Sequence, residues 1–264
     1  MTKSPKINVL FIADIVGKPG LDITSRFLSS LLRQYNVDFC IANGENAHEG
    51  KSITPSEFSV FRQVGIDVIT SGNHIWDHHK GRRLLDDETT LLRPLNYPDG
   101  SPGSGSGVYA LSKGGEIAVL NLQGRTFMYP IDCPFRRGKK EVEQLRKKTP
   151  LIIVDIHAEA TAEKQALAWY LDGMVSAVIG THTHVQTADE RILPEGTAYI
   201  SDAGMTGPFD SVIGLDKKVA LQRFIGGVPQ RYQMAHDNIR MNAVLVSINQ
   251  ETGKALSIER ISLP

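Results

Sequence analysis

His182 and His184 stand one residue apart in Gly180-Thr181-His182-Thr183-His184, directly after the apolar run 175–179. Such a run reads as a buried strand, so both imidazoles fall on the loop at its end, near enough to share a ligand. Four other apolar runs end on donor side chains in the same way. Run 7–13 leads into Asp14, run 39–42 into Asn43, Glu45 and Asn46, run 68–71 into Asn73 and His74, and run 151–156 into His157. Singly, an Asp, Asn or His after a strand is more often a turn former. Five such ends in one chain point further, because open α/β sheets bind ligands at the carboxyl ends of their strands. Imidazole, carboxylate and amide oxygen form a mixed N/O donor set that suits Fe, Mn, Zn or Mg, and the lack of thiolates argues against a structural zinc cluster.

The order of these motifs resembles the calcineurin-like metallophosphoesterases, whose usual pattern is D-x-H, G-D-x-x-D, G-N-H-D/E, a lone His and G-H-x-H. In this chain the matching stretches are Asp14-Ile15-Val16, Gly44-Glu45-Asn46, Gly72-Asn73-His74, His157 and the 180–184 segment. The first lacks its second histidine, and Glu45 stands for the bridging Asp. Trp76 stands near the usual acid after His74, with Asp77 one place later. Those departures are similar to the bacterial YmdB-type branch, with F-I-A-D-I-V-G, N-G-E-N-A, S-G-N-H-I-W-D and, at 202–208, D-A-G-M-T-G-P. The resemblance implies an α/β fold, a four-layer α-β-β-α sandwich of two mixed sheets flanked by helices. It assigns Asp14, Glu45, Asn46 and His184 to one metal ion and Glu45, Asn73, His157 and His182 to a second, with Asn46 replacing the missing histidine. His74 would be the catalytic general acid. The implied substrates are cyclic nucleotides, 2′,3′-cyclic ahead of 3′,5′-cyclic. The implied metals are two divalent or mixed-valence ions, with iron favoured and Mn, Mg or Zn compatible.

Elementary chemistry supports that assignment. Seven donors exceed what one ion takes while keeping a position open for substrate, and Glu45, with two carboxylate oxygens, is the natural bridge. Two ions roughly 3.5–4 Å apart activate a shared hydroxide and clamp the oxygens of an in-line phosphoryl displacement. His74, next to the ligand Asn73, then protonates the leaving alkoxide, a contribution of about 10²–10⁴-fold. An amide oxygen is a weaker donor than imidazole, so the ion on Asn46 is expected to exchange more readily. Two alternatives stay open: a phosphomonoesterase or nucleotidase, and a metal-containing regulatory protein that senses nucleotide or RNA with little turnover. An intact His74 speaks against the sensor.

The 264 residues, 41% hydrophobic, suffice for a single domain, 1–264, with a sizeable core. Lys+Arg and Asp+Glu number 29 each, so no global positive field exists to hold long nucleic acid, and a small phosphodiester is the expected partner. Two local basic groups, Lys80-Arg82-Arg83 and Arg136-Arg137-Lys139-Lys140, read mainly as solvated helix faces, the second just ahead of a helix. Only Cys40 and Cys133 are present, which suits a reducing compartment. No run approaches the ~18 apolar residues of a membrane span. The start with Lys3 and Lys6 lacks a signal-peptide pattern, and the expected location is cytoplasmic. A homo-oligomer, by general frequency a dimer, is the expected assembly.

The elements that position the donors are legible in part. Residues 21–35 carry Phe27, Leu28, Leu31, Leu32 and Tyr35 at helical spacing. Thr54-Pro55-Ser56-Glu57 is a capping box with Pro at the first helical position, and Gly65 ends that helix. Residues 161–171 form a third helix. Residues 99–107, rich in Gly, Ser and Pro, read as a mobile loop. Hairpins follow at 109–122, around Lys113-Gly114-Gly115, and at 242–261, around 251–254. His48, and the pair His78 and His79, are open to either a loop role or a part beside the substrate, the pair as a support for His74. His236 is read as uninvolved. Asp202, Met205, Thr206 and Gly207 follow a further strand end and read equally as pocket lining or turn.

Overall fold

The computed structural model describes residues 5–264; Lys3, at the amino-terminal start weighed above, lies outside the described residues. In chain order the elements are β1 (Lys6–Ile12), β2 (Asp14–Ile15), α1 (Gly17–Gln34), β3 (Phe39–Asn43), α2 (Pro55–Val64) and β4 (Val68–Thr70). A 3₁₀ turn (Asn73–Trp76) precedes α3 (His79–Asp87), β5 (Ser106–Ala110), β6 (Glu116–Gln123), α4 (Pro134–Leu145), β7 (Ile152–His157) and α5 (Thr161–Tyr170). The chain closes with β8 (Ala177–Thr181), β9 (Arg191–Ile192), β10 (Ala198–Ile200), β11 (Met205–Pro208), α6 (Lys217–Gly226), β12 (Ile239–Asn249) and β13 (Ala255–Leu263).

Two mixed sheets face each other. One runs β2-β11-β12-β1-β3-β4 with β13 added along β12, and the other runs β5-β6-β7-β8-β10-β9. In the first, β1, β3 and β4 are parallel; in the second, β6, β7, β8 and β10 are. The period-2 alternation of side chains splits each strand between two cores. Ile7, Val9 and Phe11 of β1 meet Ile117, Val119, Ile153 and Ile179 between the sheets. Leu10 and Ile12 point the other way, toward Leu28 and Leu31 of α1 and Phe58 and Phe61 of α2. Leu120, Leu122, Val154 and Ile156 pack outward against Val142 of α4 and Leu167 of α5. The result is the expected α-β-β-α layering, and it brings the carboxyl ends of both sets of parallel strands to one rim.

Several local expectations are met and others shift. The capping box is formed, with Thr54 and Glu57 each bonding the other's backbone and Gly65 left-handed at the end of α2. Helix α1 begins at Gly17, earlier than its apolar stripe. Arg136, Arg137, Lys139 and Lys140 lie inside α4, not ahead of it, because Pro134 at its first turn starts the helix sooner. Residues 99–105 are fastened rather than loose: buried Arg93 donates from Nε to Pro102 O at 3.0 Å, and Gly103 N donates to Asp86 at 3.2 Å. Helix α6 has no counterpart in the sequence reading. Both Cys40 and Cys133 are free thiols. Among the described residues no helix is long and apolar enough to cross a membrane.

Candidate metal centre

All seven expected ligands gather at the common rim, and Glu45 lies at their centre. His157 Nε2 sits 2.9 Å from Glu45 Oε1, and His182 Nδ1 sits 3.0 Å from the same His157 nitrogen. Ligand atoms of Glu45, His157 and His182 lie within 4.8 Å of one another. Next to the same Glu45 oxygen, the Asn46 amide Nδ2 is surrounded by Glu45 Oε1 at 3.3 Å, Asp14 Oδ1 at 3.5 Å and His184 Nε2 at 3.2 Å. Three acceptors converging on one point form a cation's environment, and the same amide turned over presents its oxygen.

The residues fit divalent ions. Asn73 Oδ1 is buried with no hydrogen-bond partner, as an oxygen reserved for a cation would be. Asp14, Glu45 and His157 are essentially inaccessible to solvent, and paired buried carboxylates require a counter-charge. A Cβ at Gly72 would overlap the His157 imidazole, which explains the glycine before Asn73.

The electrostatics follow from this crowding. Burial, with the charges of Asp202 and Glu45 adding to it, drives the Asp14 carboxyl well above the ordinary range, against the pull of His157. Burial would also raise Glu45, yet the facing His157 and its hydrogen bond bring it down to about 2. His157 moves oppositely: burial lowers it, but Glu45 overrides that and holds it at about 9. Burial and the neighbouring His157 push His182 down to about 3.

A second layer holds these donor side chains. His157 Nδ1 lies 2.9 Å from Thr181 Oγ1, whose hydroxyl donates to Asp155 Oδ1 at 2.7 Å. Asp155 also accepts from Thr70 at 2.6 Å and Asn43 at 3.0 Å. Thr181 therefore receives the Nδ1–H, and Nε2 is left facing the site. Asn43, a possible donor by position, bonds Asp155 and Thr181 in this layer.

The loop after β8 is backbone-strained: His182 has φ 102° and His184 φ 64°, a region costing non-glycine residues about 1–3 kcal/mol each. Asp202 offsets this. It accepts from Thr183 N at 3.0 Å and Thr183 Oγ1 at 2.8 Å, and from buried Lys164 Nζ at 2.8 Å. His184 Nδ1 donates to Ile213 O at 2.9 Å, again leaving Nε2 inward. Gly180 is required because its Cβ would strike the Ser201 carbonyl.

His74 stands at the rim beside this cluster. Its backbone N–H donates to Glu45 Oε2 at 3.0 Å, and its Nδ1 pairs with Asp77 Oδ2 at 2.9 Å. Asp77, one place beyond the acid position of the usual pattern, is thus the partner of His74. His78 and His79 are not: His78 accepts from Lys80 N and stacks between His48 and His79. His48 pairs with Glu57 at 3.2 Å. Asp202, Met205, Thr206 and Gly207 are buried and do not line the main cleft. That cleft, about 660 Å³, is lined by Glu45, His74 and His184 together with Lys51, Arg223 and Tyr232.

Asp77 was open to discovery from its spacing three after His74, and Asp155 as the one charged residue in an apolar strand, two before His157. Nothing in the sequence marks Lys164 or Arg223.

Comparison with known proteins agrees. The family model described as YmdB-like protein matches residues 10–261. A Bacillus subtilis (strain 168) protein named 2′,3′-cyclic-nucleotide 2′-phosphodiesterase is 48% identical over 255 residues, 97% of this chain and 96% of that one. A crystal structure of a hypothetical protein from Thermus thermophilus superposes with a TM-score of 0.91 at 40% identity, covering 98% of this chain and 100% of that one. A crystal structure described as a novel phosphatase from Mycoplasma pneumoniae gives 0.92 at 33% identity, with 98% and 94% covered. The chain belongs to the YmdB-like family, within the metallophosphoesterases whose motifs it carries.

Proposed function

We propose that the protein is a dinuclear metal-dependent phosphodiesterase acting on cyclic nucleotides, 2′,3′-cyclic ones first. The observation that carries the reading is that both groups of converging donors meet at Glu45, with His157 Nε2 at 2.9 Å and Asn46 Nδ2 at 3.3 Å from its Oε1. Asp14, Glu45, Asn46 and His184 would hold one ion, and Glu45, Asn73, His157 and His182 the other. Iron is favoured, with Mn, Mg or Zn compatible with the same N/O set. Bound ions supply Lewis acidity toward the phosphoryl oxygens and a nucleophile from water.

The chain's own residues do the rest. His74 donates a proton to the departing ribose oxygen, and Asp77, on its Nδ1, orients the ring and balances the imidazolium charge. Lys51 and Arg223 give the cleft positive charge for an anionic diester. Its volume of about 660 Å³ leaves room beyond the donors for a second ester arm, which a monoesterase does not need. The activity fits a location in the cytoplasm and a small phosphodiester partner rather than long nucleic acid.

The test is turnover of 2′,3′-cAMP, bis-p-nitrophenyl phosphate and p-nitrophenyl phosphate by protein reconstituted with Fe or Mn. Diesters are expected to react well ahead of the monoester. The product, 3′-AMP or 2′-AMP, reveals which ribose oxygen departs. Preference for the monoester would favour the nucleotidase reading, and nucleotide binding without product would favour a sensor.

A further inference from the structure

His74 stands in the wall between two clefts. On one side lies the cleft with Glu45, His182 and His184; on the other lies a hollow of about 370 Å³ lined by Asn73, His74, Trp76, Asp77, Tyr97 and Tyr129. Trp76 and Tyr97 meet there with ring centroids 4.9 Å apart and planes inclined by 58°. The Tyr97 hydroxyl donates to Gln123 Oε1 at 2.9 Å, which fixes that ring. Tyr129 comes from the loop after β6 and is 79% exposed, so its π face is free for a ligand. Yet the loop's root is firmly tied. Gly124 N donates to His157 O at 3.0 Å, and Thr126 N donates to Glu163 at 3.0 Å. Tyr129 thus shares the hollow with the paired rings of Trp76 and Tyr97, directly beside the proposed acid.

We propose that this hollow is the nucleobase subsite of the enzyme. The inference rests on the phosphodiesterase reading and on the direction of proton transfer. The oxygen that takes the proton from His74 belongs to the ribose, so sugar and base extend from His74 away from the phosphoryl-binding donors. The aromatic hollow meets His74 from the side of Asn73, away from the cleft that holds Glu45, Asn46, His182 and His184. Rings of Trp and Tyr stack on any base, because every base has a π face, and such stacking typically contributes on the order of tenfold or more to affinity. Selectivity for nucleoside diesters over other diesters therefore arises from Trp76, Tyr97 and Tyr129, with broad tolerance among bases.

The chain has two tryptophans, and Trp169, half exposed on α5, lines neither cleft. In Trp169→Phe protein, Trp76 emission therefore reports on the hollow alone. Titration of the metal-loaded protein with 3′-AMP is expected to quench that emission, and Tyr129→Ala to weaken the binding about tenfold. In turnover, the ratio of kcat/KM for 2′,3′-cAMP to that for methyl riboside 2′,3′-cyclic phosphate, which has no base, is expected to fall about tenfold in Tyr129→Ala. An unchanged ratio together with unquenched Trp76 emission would overturn the subsite. Hydrolysis of neither compound would contradict the phosphodiesterase reading instead, and the fluorescence titration would then decide the subsite by itself.

Discussion

His74 Nδ1 lies 2.9 Å from Asp77 Oδ2, while the backbone N–H of His74 donates to Glu45 Oε2 at 3.0 Å. One residue thus joins the carboxylate at the centre of the donor cluster to the Asp77 carboxylate. On the proposed mechanism, His74→Ala lowers kcat by about 10²–10⁴-fold with metal content retained. Asp77→Asn, which keeps the imidazole but not the charge behind it, lowers kcat by about 10-fold or more with little change in KM. Steady-state kinetics with metal analysis of the same samples checks both. Full activity of His74→Ala would remove His74 from the mechanism.

Metal uptake should compete with a proton on His157. The ordinary His value is 6.5, and Glu45 raises it to about 9; Glu45 itself falls from 4.5 to about 2. A raised histidine stabilises the metal-free fold fully below its unfolded value and loses that contribution as pH climbs through about 9. The depressed carboxylate contributes fully above 4.5 and loses it as pH falls through about 2. Metal needs the imidazole neutral, so Mn²⁺ affinity is expected to rise with pH, by up to about tenfold per unit for one proton displaced, and to level off near 9. Calorimetric titrations at several pH values measure it. A flat profile between about pH 6.5 and 8.5 would contradict this coupling.

Lys164 and Asp202 form an ion pair in which both side chains are 1% exposed. Lys164→Met strands the Asp202 carboxylate, which clamps Thr183 between the two loop histidines, a loss of about 3–5 kcal/mol. The double variant Lys164→Met/Asp202→Asn is expected to be less destabilised than Lys164→Met alone. Denaturant unfolding of the metal-free proteins tests the order.

The five strand ends were legible because apolar runs and the donors that follow them are contiguous in the chain. Glu45, Asn46, His157, His182 and His184 meet where the sequence implies, since parallel strands carry their ends to one rim. The four layers followed from the family resemblance, and the helical stripe of α1 was legible by itself. The contacts that hold the ligands were harder to read. Lys164 reaches Asp202 across 38 positions, and Asp155 gathers Thr70 and Asn43 from 85 and 112 positions away; such pairs follow from packing and not from local pattern. Helix α6 also escaped notice, because Leu221, Phe224 and Ile225 are exposed and its apolar residues do not form one inward stripe.

Arg223 of α6 lines the same cleft as Glu45, His182 and His184. Its guanidinium suits the anionic phosphoryl group, so Arg223→Ala should raise KM for 2′,3′-cAMP on the order of tenfold while kcat changes less. Initial-rate measurements at low and high salt test this. The difference between wild type and variant should shrink as salt screens the charge.

On the proposed mechanism two ions share Glu45, and metal stoichiometry with 2′,3′-cAMP turnover for wild type beside Glu45→Gln tests this most directly. Active wild type is expected to hold about two equivalents of metal, with loss of at least one ion and of nearly all turnover in Glu45→Gln. Full activity of wild type at one equivalent, or an active Glu45→Gln enzyme, would contradict it.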